Sequence, residues 1–282
     1  MGKLAFAAKV THVPSMYLSE LPGKTNGCRQ AAIDGHKEIS RRCRELGVDT
    51  MVIFDTHWLV NSGFHINAND HFKGIYTSHE LPHFIRDMEY EYYGNPELAD
   101  MIARYAVKKN VRALSHRIPS LALEYGTLVP MRYMNSDNKF KVVSISAFCT
   151  SHDLEDSRAL GAAVTEAIQE YDGTVAILAS GSLSHRFAYD RIAEKCFDAY
   201  TREFDHQVDL RVVEMWKNGQ WPEFCSMLGD YAASCFGEGG MHDTSMLLGA
   251  LGGENYQGKV EFVTELFASS GTGQVNAVFP VA

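Results

Sequence analysis

Met51-Val52-Ile53-Phe54-Asp55-Thr56-His57-Trp58 begins as an unbroken apolar run and stops abruptly at an aspartate, a threonine and a histidine. Such a run reads as a buried strand that delivers His57 at its carboxyl end, the edge where open α/β sheets place their ligands. The chain opens on a second stretch of the same design, Leu4-Ala5-Phe6-Ala7-Ala8-Lys9-Val10, followed by Thr11-His12-Val13-Pro14. Two strands therefore end in a Thr-His pair. As neighbours in one sheet they would send His12 and His57 off the same edge into one crevice, and two converging imidazoles are the start of a metal site.

Outward from these strands, residues 17–26 read as a Gly/Pro-bearing loop. Residues 28–46 read as a helix with Ala32, His36, Ile39, Cys43 and Leu46 at three- and four-residue spacing, stopped by Gly47. That helix would cross between the two strands in the manner of a parallel pair. Residues 59–93 hold many aromatics with His65, His71, His79 and His83 but no helical period, as expected of a functional loop or of short strands. Asn95-Pro96 supplies an N-cap and first-turn proline for a helix through residue 107, and 111–114 is a short strand. The second half repeats the alternation. Residues 140–148 form a strand, 154–170 a helix opened by Ser151 or Asp153, and 174–179 another apolar strand. Both strands run into polar residues, Cys149-Thr150-Ser151-His152 and Ser180-Gly181-Ser182-Leu183-Ser184-His185. Helices over 204–217, 222–235 and 244–251 and closing strands over 260–268 and 274–281 complete the reading. With no linker and no repeat, residues 1–282 read as one α/β domain, a mostly parallel or mixed central sheet with helices on both faces.

A chain of 282 residues with 45% apolar content can bury a sizeable core. A net charge of −9 argues against nucleic acid or an anionic membrane as partner, because both are held by dense Lys/Arg patches. The six cysteines form no Cys-x-x-Cys pair, which fits a reducing cytoplasm better than a disulfide scaffold. Nothing approaches the roughly 20 apolar residues of a membrane span, and the amino-terminal run lacks the features of a signal peptide. An acidic chain of this size is expected to form a symmetric homo-oligomer.

Two histidines need one carboxylate to make a mononuclear site that leaves cis positions open on a ferrous ion. Glu238 is the candidate, in Phe236-Gly237-Glu238-Gly239-Gly240, where glycines let the backbone turn tightly near a ligand. Asp243 is the alternative, or else the N-cap of the helix that follows. His185, among small residues at a strand end, suits a general base with a pKa near neutrality. The hydroxyl of Tyr125, in Glu124-Tyr125-Gly126-Thr127, would either hydrogen-bond an oxygen intermediate or anchor a loop. Taken singly, each has a bland reading as a hydrogen-bonded structural histidine or a surface turn. Their recurrence at equivalent strand ends is what favours function. Ser184 beside His185 lacks the Gly-x-Ser-x-Gly elbow of a hydrolase.

The Thr-His12-Val-Pro start, the Asp-Thr-His57-Trp strand end, Ser-Gly-Ser-Leu-Ser-His185 and Gly-Glu238-Gly-Gly together resemble the class III (LigB-type) extradiol ring-cleavage dioxygenases, over almost the whole chain. Within that family the wording is most similar to the branch that acts on homoprotocatechuate (3,4-dihydroxyphenylacetate). The resemblance implies Fe(II) held by His12, His57 and Glu238, with His185 as acid/base. It also implies a catechol and O2 as substrates and 5-carboxymethyl-2-hydroxymuconate semialdehyde as product. Many members carry Asp-His-Gly where this chain has Glu124-Tyr125-Gly126, so Tyr125 would take the hydrogen-bonding role of a missing histidine, as in aminophenol-cleaving relatives. Arg186 could meet the acetate of the substrate or simply lie on the surface. Mn(II) suits the same ligands as Fe(II). A zinc hydrolase built on this trio, or a non-catalytic protein that kept the fold, are the rival readings.

Overall fold

The apolar runs of the sequence become the middle of one sheet. The computed structural model describes residues 2–281. Its first half contains β1 (Lys3–Val10), α1 (Ser15–Glu20), α2 (Gln30–Glu45), β2 (Thr50–Val60), β3 (Phe64–Asn67), β4 (His71–Tyr76), β5 (Met88–Tyr93), α3 (Pro96–Lys108), β6 (Ala113–His116) and α4 (Tyr125–Met134). The second contains β7 (Lys141–Cys149), α5 (Leu154–Glu170), β8 (Thr174–Ser180), α6 (Glu203–Asn218), α7 (Trp221–Ser234), α8 (His242–Leu251), β9 (Glu261–Phe262), β10 (Phe267–Ser269), β11 (Thr272–Gln274) and β12 (Ala277–Phe279).

Eight strands form the main sheet in the order β6-β3-β7-β2-β8-β1-β12-β9. The central four run parallel, and β3 and β12 flank them antiparallel. The sheet is thus mixed with a parallel centre, as the sequence pattern implies. Strands covered on both faces need apolar side chains in both directions, which is why 51–54 and 175–179 show no polar alternation. On one face Val52, Phe54, Val143, Ile145 and Ile177 pack with Leu98 of α3, Leu160 of α5 and Leu248 of α8. On the other Met51, Ile53, Val142 and Leu178 pack with Ile39 of α2 and Leu128 of α4. Asp153, not Ser151, opens α5, in a capping box with Asp156. Asn95 caps α3 by accepting from the Leu98 amide.

The structure corrects the reading in four places. β1 and β2 are not neighbours, because β8 lies between them and pairs with both. The stretch from residue 17 is partly helical, in α1. A helix, α4, starts at Tyr125 where only a polar element was expected. The closing strands are shorter, and the hairpin of β10 and β11 stands outside the main sheet. Within 59–93 the short strands are β3, β4 and β5, the last two forming a separate hairpin.

His36 on α2 is fully buried, and burial pushes its pKa down to about 3. Burial, with His152 nearby, pushes His242 down to about 4. Both rings are neutral in the fold, whereas the unfolded chain protonates them below about pH 6.5. Stability is therefore complete above that value and is lost as the pH falls toward the folded pKa values, by about 2 kcal/mol per group at about pH 5. We expect the urea midpoint to fall between about pH 7 and pH 5, and His36→Leu to flatten that fall. An equally steep fall in the variant would exclude His36 as a cause.

Candidate metal centre

The carboxyl ends of β1 and β8 lie beside Asp55 of β2, where pairing with β8 stops; β2 itself does not end at His57, as its sequence suggests, but runs on to Val60 past a register break. Val10 pairs with Ser180 from one side and Asp55 from the other, so His12 and His57 each leave two residues beyond the same point of β8. The intervening strand ends in Ser180-Gly181-Ser182, small enough for the two imidazoles to meet across it. Their ring centroids are 5.0 Å apart at 85°. At Gly181 an added Cβ would sit 2.9 Å from Asp243 Oδ2 and 3.0 Å from Thr56 Cγ2. The third donor comes from the loop before α8. Gly239, Gly240 and Met241 all adopt left-handed conformations, with φ of 56°, 67° and 64°, and turn the chain so that Glu238 points inward.

Glu238 is buried and gathers the site around itself. Its Oε1 accepts from Thr56 Oγ1 at 2.9 Å and lies 2.9 Å from His12 Nε2 and 3.4 Å from His57 Nε2. Its Oε2 accepts from the Ser182 amide, and His185 Nε2 is 4.0 Å from the same oxygen. One donor atom each from His12, His57 and Glu238 falls within a 4.8 Å cluster. Behind His12, the Ser180 hydroxyl donates to the Gly126 carbonyl at 2.5 Å. Its single hydrogen is thereby used, so Ser180 Oγ accepts from His12 Nδ1–H at 3.0 Å and leaves the lone pair of His12 on Nε2, facing the carboxylate. A lone pair and a carboxylate face to face call for a cation between them. Two imidazoles and one carboxylate are a donor set for a first-row divalent ion, and the residues fit one.

The titration of the groups follows the same logic. Burial alone would raise Glu238, but the imidazoles of His12, His185 and His57 that face it hold it well below the usual carboxylate range. Burial alone would lower His57, but the bond to Glu238 and that carboxylate's charge raise it. Asp55, at the register break within β2, accepts from the His57 amide at 2.9 Å and from Thr127 Oγ1 at 2.6 Å, which fixes the chain where His57 leaves the regular ladder. Gly126 has to be glycine there, since a Cβ would lie 2.0 Å from Asp55 Oδ1.

Tyr125 closes one side. Its ring centroid is 3.7 Å from that of His57, and its hydroxyl donates to Glu80 Oε1 at 2.9 Å. His12, His57, Tyr125 and His185 line one cavity of about 410 Å³, the size for a small ring. A larger groove of about 900 Å³ between α2, α4 and the β4–β5 hairpin contains none of them. The structure thus brings His12, His57, Glu238, His185 and Tyr125 into one place. Asp243 is not part of the cluster and does not cap α8: it pairs with Lys9 Nζ at 2.5 Å, both side chains fully buried. Arg186 does not line the cavity, because its guanidinium lies 3.9 Å over the Phe236 ring with Nε 3.6 Å from Asp205. Sequence reasoning missed Thr56, the Ser182 amide and Glu80. Lys9 carried a readable signal, a charge inside an apolar strand that must find a buried partner.

The family model described as the catalytic LigB subunit of aromatic ring-opening dioxygenase matches residues 6–280. The chain belongs to the LigB family. It is 69% identical over 260 residues to the Escherichia coli protein named 3,4-dihydroxyphenylacetate 2,3-dioxygenase, covering 92% of this chain and 94% of that one. It is 23% identical over 250 residues to the 2-aminophenol 1,6-dioxygenase beta subunit of a Pseudomonas species, covering 84% and 82%. An uncharacterized Escherichia coli K12 protein of known structure shares the fold, with a TM-score of 0.65 at 13% identity over 98% of this chain and 100% of that one. This LigB chain is an extradiol ring-cleaving dioxygenase. No helix among its described residues is long and apolar enough to cross a membrane.

For the LigB site we expect His12→Ala, His57→Ala and Glu238→Ala to lose metal on gel filtration, whereas His185→Ala retains it, as elemental analysis would read. Full occupancy in Glu238→Ala would move the third ligand elsewhere. Lys9→Met leaves Asp243 buried without its cation and should cost about 3–5 kcal/mol in urea unfolding, most of it recovered in Lys9→Met/Asp243→Leu.

Proposed function

We propose that this protein cleaves the ring of 3,4-dihydroxyphenylacetate between a hydroxylated and a non-hydroxylated carbon, using Fe(II) held by His12, His57 and Glu238. The observation that carries the reading is the convergence of those three donors within 4.8 Å at one end of a cavity that also presents His185 and Tyr125. The substrate follows from the 69% identical relative and its name. Ferrous ion, when bound, supplies a Lewis acid for the two catechol oxygens and an electron path to O2, with up to three cis positions left free by this ligand set.

The chain's own residues do the rest. Burial lowers the pKa of His185, outweighing the pull of Glu238 in the other direction, so the ring is neutral near pH 7 and can accept a phenolic proton. Once protonated, it can return that proton to a departing oxygen. Tyr125 is pushed well above its ordinary pKa by burial, with Glu80 and Glu238 adding to the effect, so its hydroxyl stays protonated and serves as a donor. Val13, Pro14 and Phe187 give the cavity apolar walls against the ring and exclude water. Among the described residues no lysine or arginine lines the cavity, whose lining includes Ser182, Ser269, Ser270 and Thr272 beside Glu80. The acetate would face their hydroxyls rather than the carboxylate.

The same reading takes residues 1–282 as one catalytic domain, working in the cytoplasm as a homo-oligomer. Its support is the acidic composition, six free cysteines and the exposed Ile75 and Tyr93 of the β4–β5 hairpin.

Protein reconstituted anaerobically with Fe(II) should consume O2 in stoichiometric amount and form a yellow product with 3,4-dihydroxyphenylacetate, whereas Zn(II)-loaded protein should do neither. Absence of uptake with any catechol, at full iron occupancy, would overturn the dioxygenase reading in favour of a hydrolase or a binding protein.

A further inference from the structure

His185 stands on a strap, residues 181–186, that belongs to no strand or helix. Its backbone is tied on two sides: the Leu183 amide donates to the Gly273 carbonyl at 2.8 Å, the Gly273 amide to the Ser184 carbonyl at 2.9 Å, and the His185 amide to the Cys235 carbonyl at 3.1 Å. Beneath the strap lies α6, whose Asp205 and Asp209 sit one turn apart and fully buried. The ion pairs on this face, from Arg186 and Arg202, go to Asp205. Asp209 receives only neutral donors. Its Oδ2 accepts from Ser184 Oγ at 2.7 Å, and its Oδ1 from Tyr231 Oη at 2.7 Å and the Ser184 amide at 3.3 Å. The backbone of β11 passes directly over it, since a Cβ on Gly273 would lie 1.8 Å from Oδ2. On the far side of His185, Thr201 Oγ1 donates to the Arg186 carbonyl at 2.7 Å.

A buried carboxylate without a cation is expensive, and its hydrogen bonds grip the residue next to His185. We propose that Asp209 is a positioning residue for His185: by holding both the amide and the hydroxyl of Ser184 it fixes the strap from which the imidazole projects into the cavity. The two residues flanking His185 are thus held from below while its side chain alone faces the cavity. Asp209 touches neither substrate nor metal donor. It acts through His185, and the inference rests on the extradiol reading of the site only for its consequence in turnover.

The test uses the iron-loaded full chain and the variants Ser184→Ala and Asp209→Asn, each made in the native protein and in His185→Ala. In the native background we expect kcat to fall on the order of 10-fold for Ser184→Ala and on the order of 100-fold for Asp209→Asn, with KM and iron occupancy unchanged. In His185→Ala the same substitutions should cost less than about 2-fold, because residues that act as one unit are not additive. Equal losses in both backgrounds, or a loss confined to KM or to iron content, would overturn the proposal. Should Asp209→Asn fail to fold, Ser184→Ala removes one hydroxyl and carries the cycle by itself. A second readout needs no turnover. In the metal-free protein the His185 ring should give one set of 15N-correlated NMR signals, doubled or broadened in Ser184→Ala. Unchanged signals in the variant would also overturn it. If native protein cleaves no catechol, the extradiol reading fails while the ring signals still decide the positioning role.

Discussion

An anion kept out of water at the carboxyl edge of the sheet governs the arrangement of this protein. Burying a carboxylate costs several kcal/mol unless its lone pairs are met by donors or by a cation. Glu238 meets that demand with groups from three separate segments: His12 after β1, Thr56 and His57 in the second half of β2, and the Ser182 amide after β8. None of these segments can move without leaving the charge uncompensated. The hydrogen bonds of the fold itself thus hold these groups together around the carboxylate.

That demand explains the strained backbone beside it. Met241 adopts φ 64° although it carries a side chain, and Gly239 could not carry one, since its Cβ would lie 2.9 Å from the Ala147 carbonyl oxygen. Three successive left-handed residues reverse the chain between α7 and α8, which points Glu238 toward the strand ends and leaves Met241 fully buried. Under this turn the Lys9–Asp243 pair links β1 to the first turn of α8, so the loop is anchored by an ion pair at its far end. Breaking either partner exposes the other to a low-dielectric interior.

How much of this was legible depended on range. The central strands could be read because burial on both faces suppresses polar alternation, and α2, α3 and α5 because an amphipathic stripe or a cap marks them. The order β1-β8-β2 could not, because strand pairing is decided by packing far along the chain. His12 and His57 meet across β8, not as neighbours. α4 was hidden by Gly126, Thr127, Val129 and Pro130, which lower helix propensity in a segment stabilised instead by burial against the sheet. The closing strands broke within their expected spans, at 263–266 and 275–276, where Val263, Thr264 and Asn276 bond one another, while Ser270 and Gly271, both at positive φ, make the tight turn between β10 and β11. Glu80 left no trace in the pattern, since a carboxylate in an irregular stretch is ordinarily solvated.

The place of Tyr125 decides how the acid/base work is divided. Its aromatic ring covers His57, and its hydroxyl reaches Glu80, so it closes the site without bringing a group that titrates near neutrality. Burial holds it well above the usual phenol range, which leaves it a donor and not a base. On the proposed mechanism, proton transfer then falls on His185 alone. A single base cannot be backed up by a neighbour, and its orientation carries the whole step. That is a physical reason for a cation-free carboxylate, lifted by burial to about 6, to be kept beneath Ser184: the fold accepts the cost of Asp209 where the geometry of one imidazole matters most.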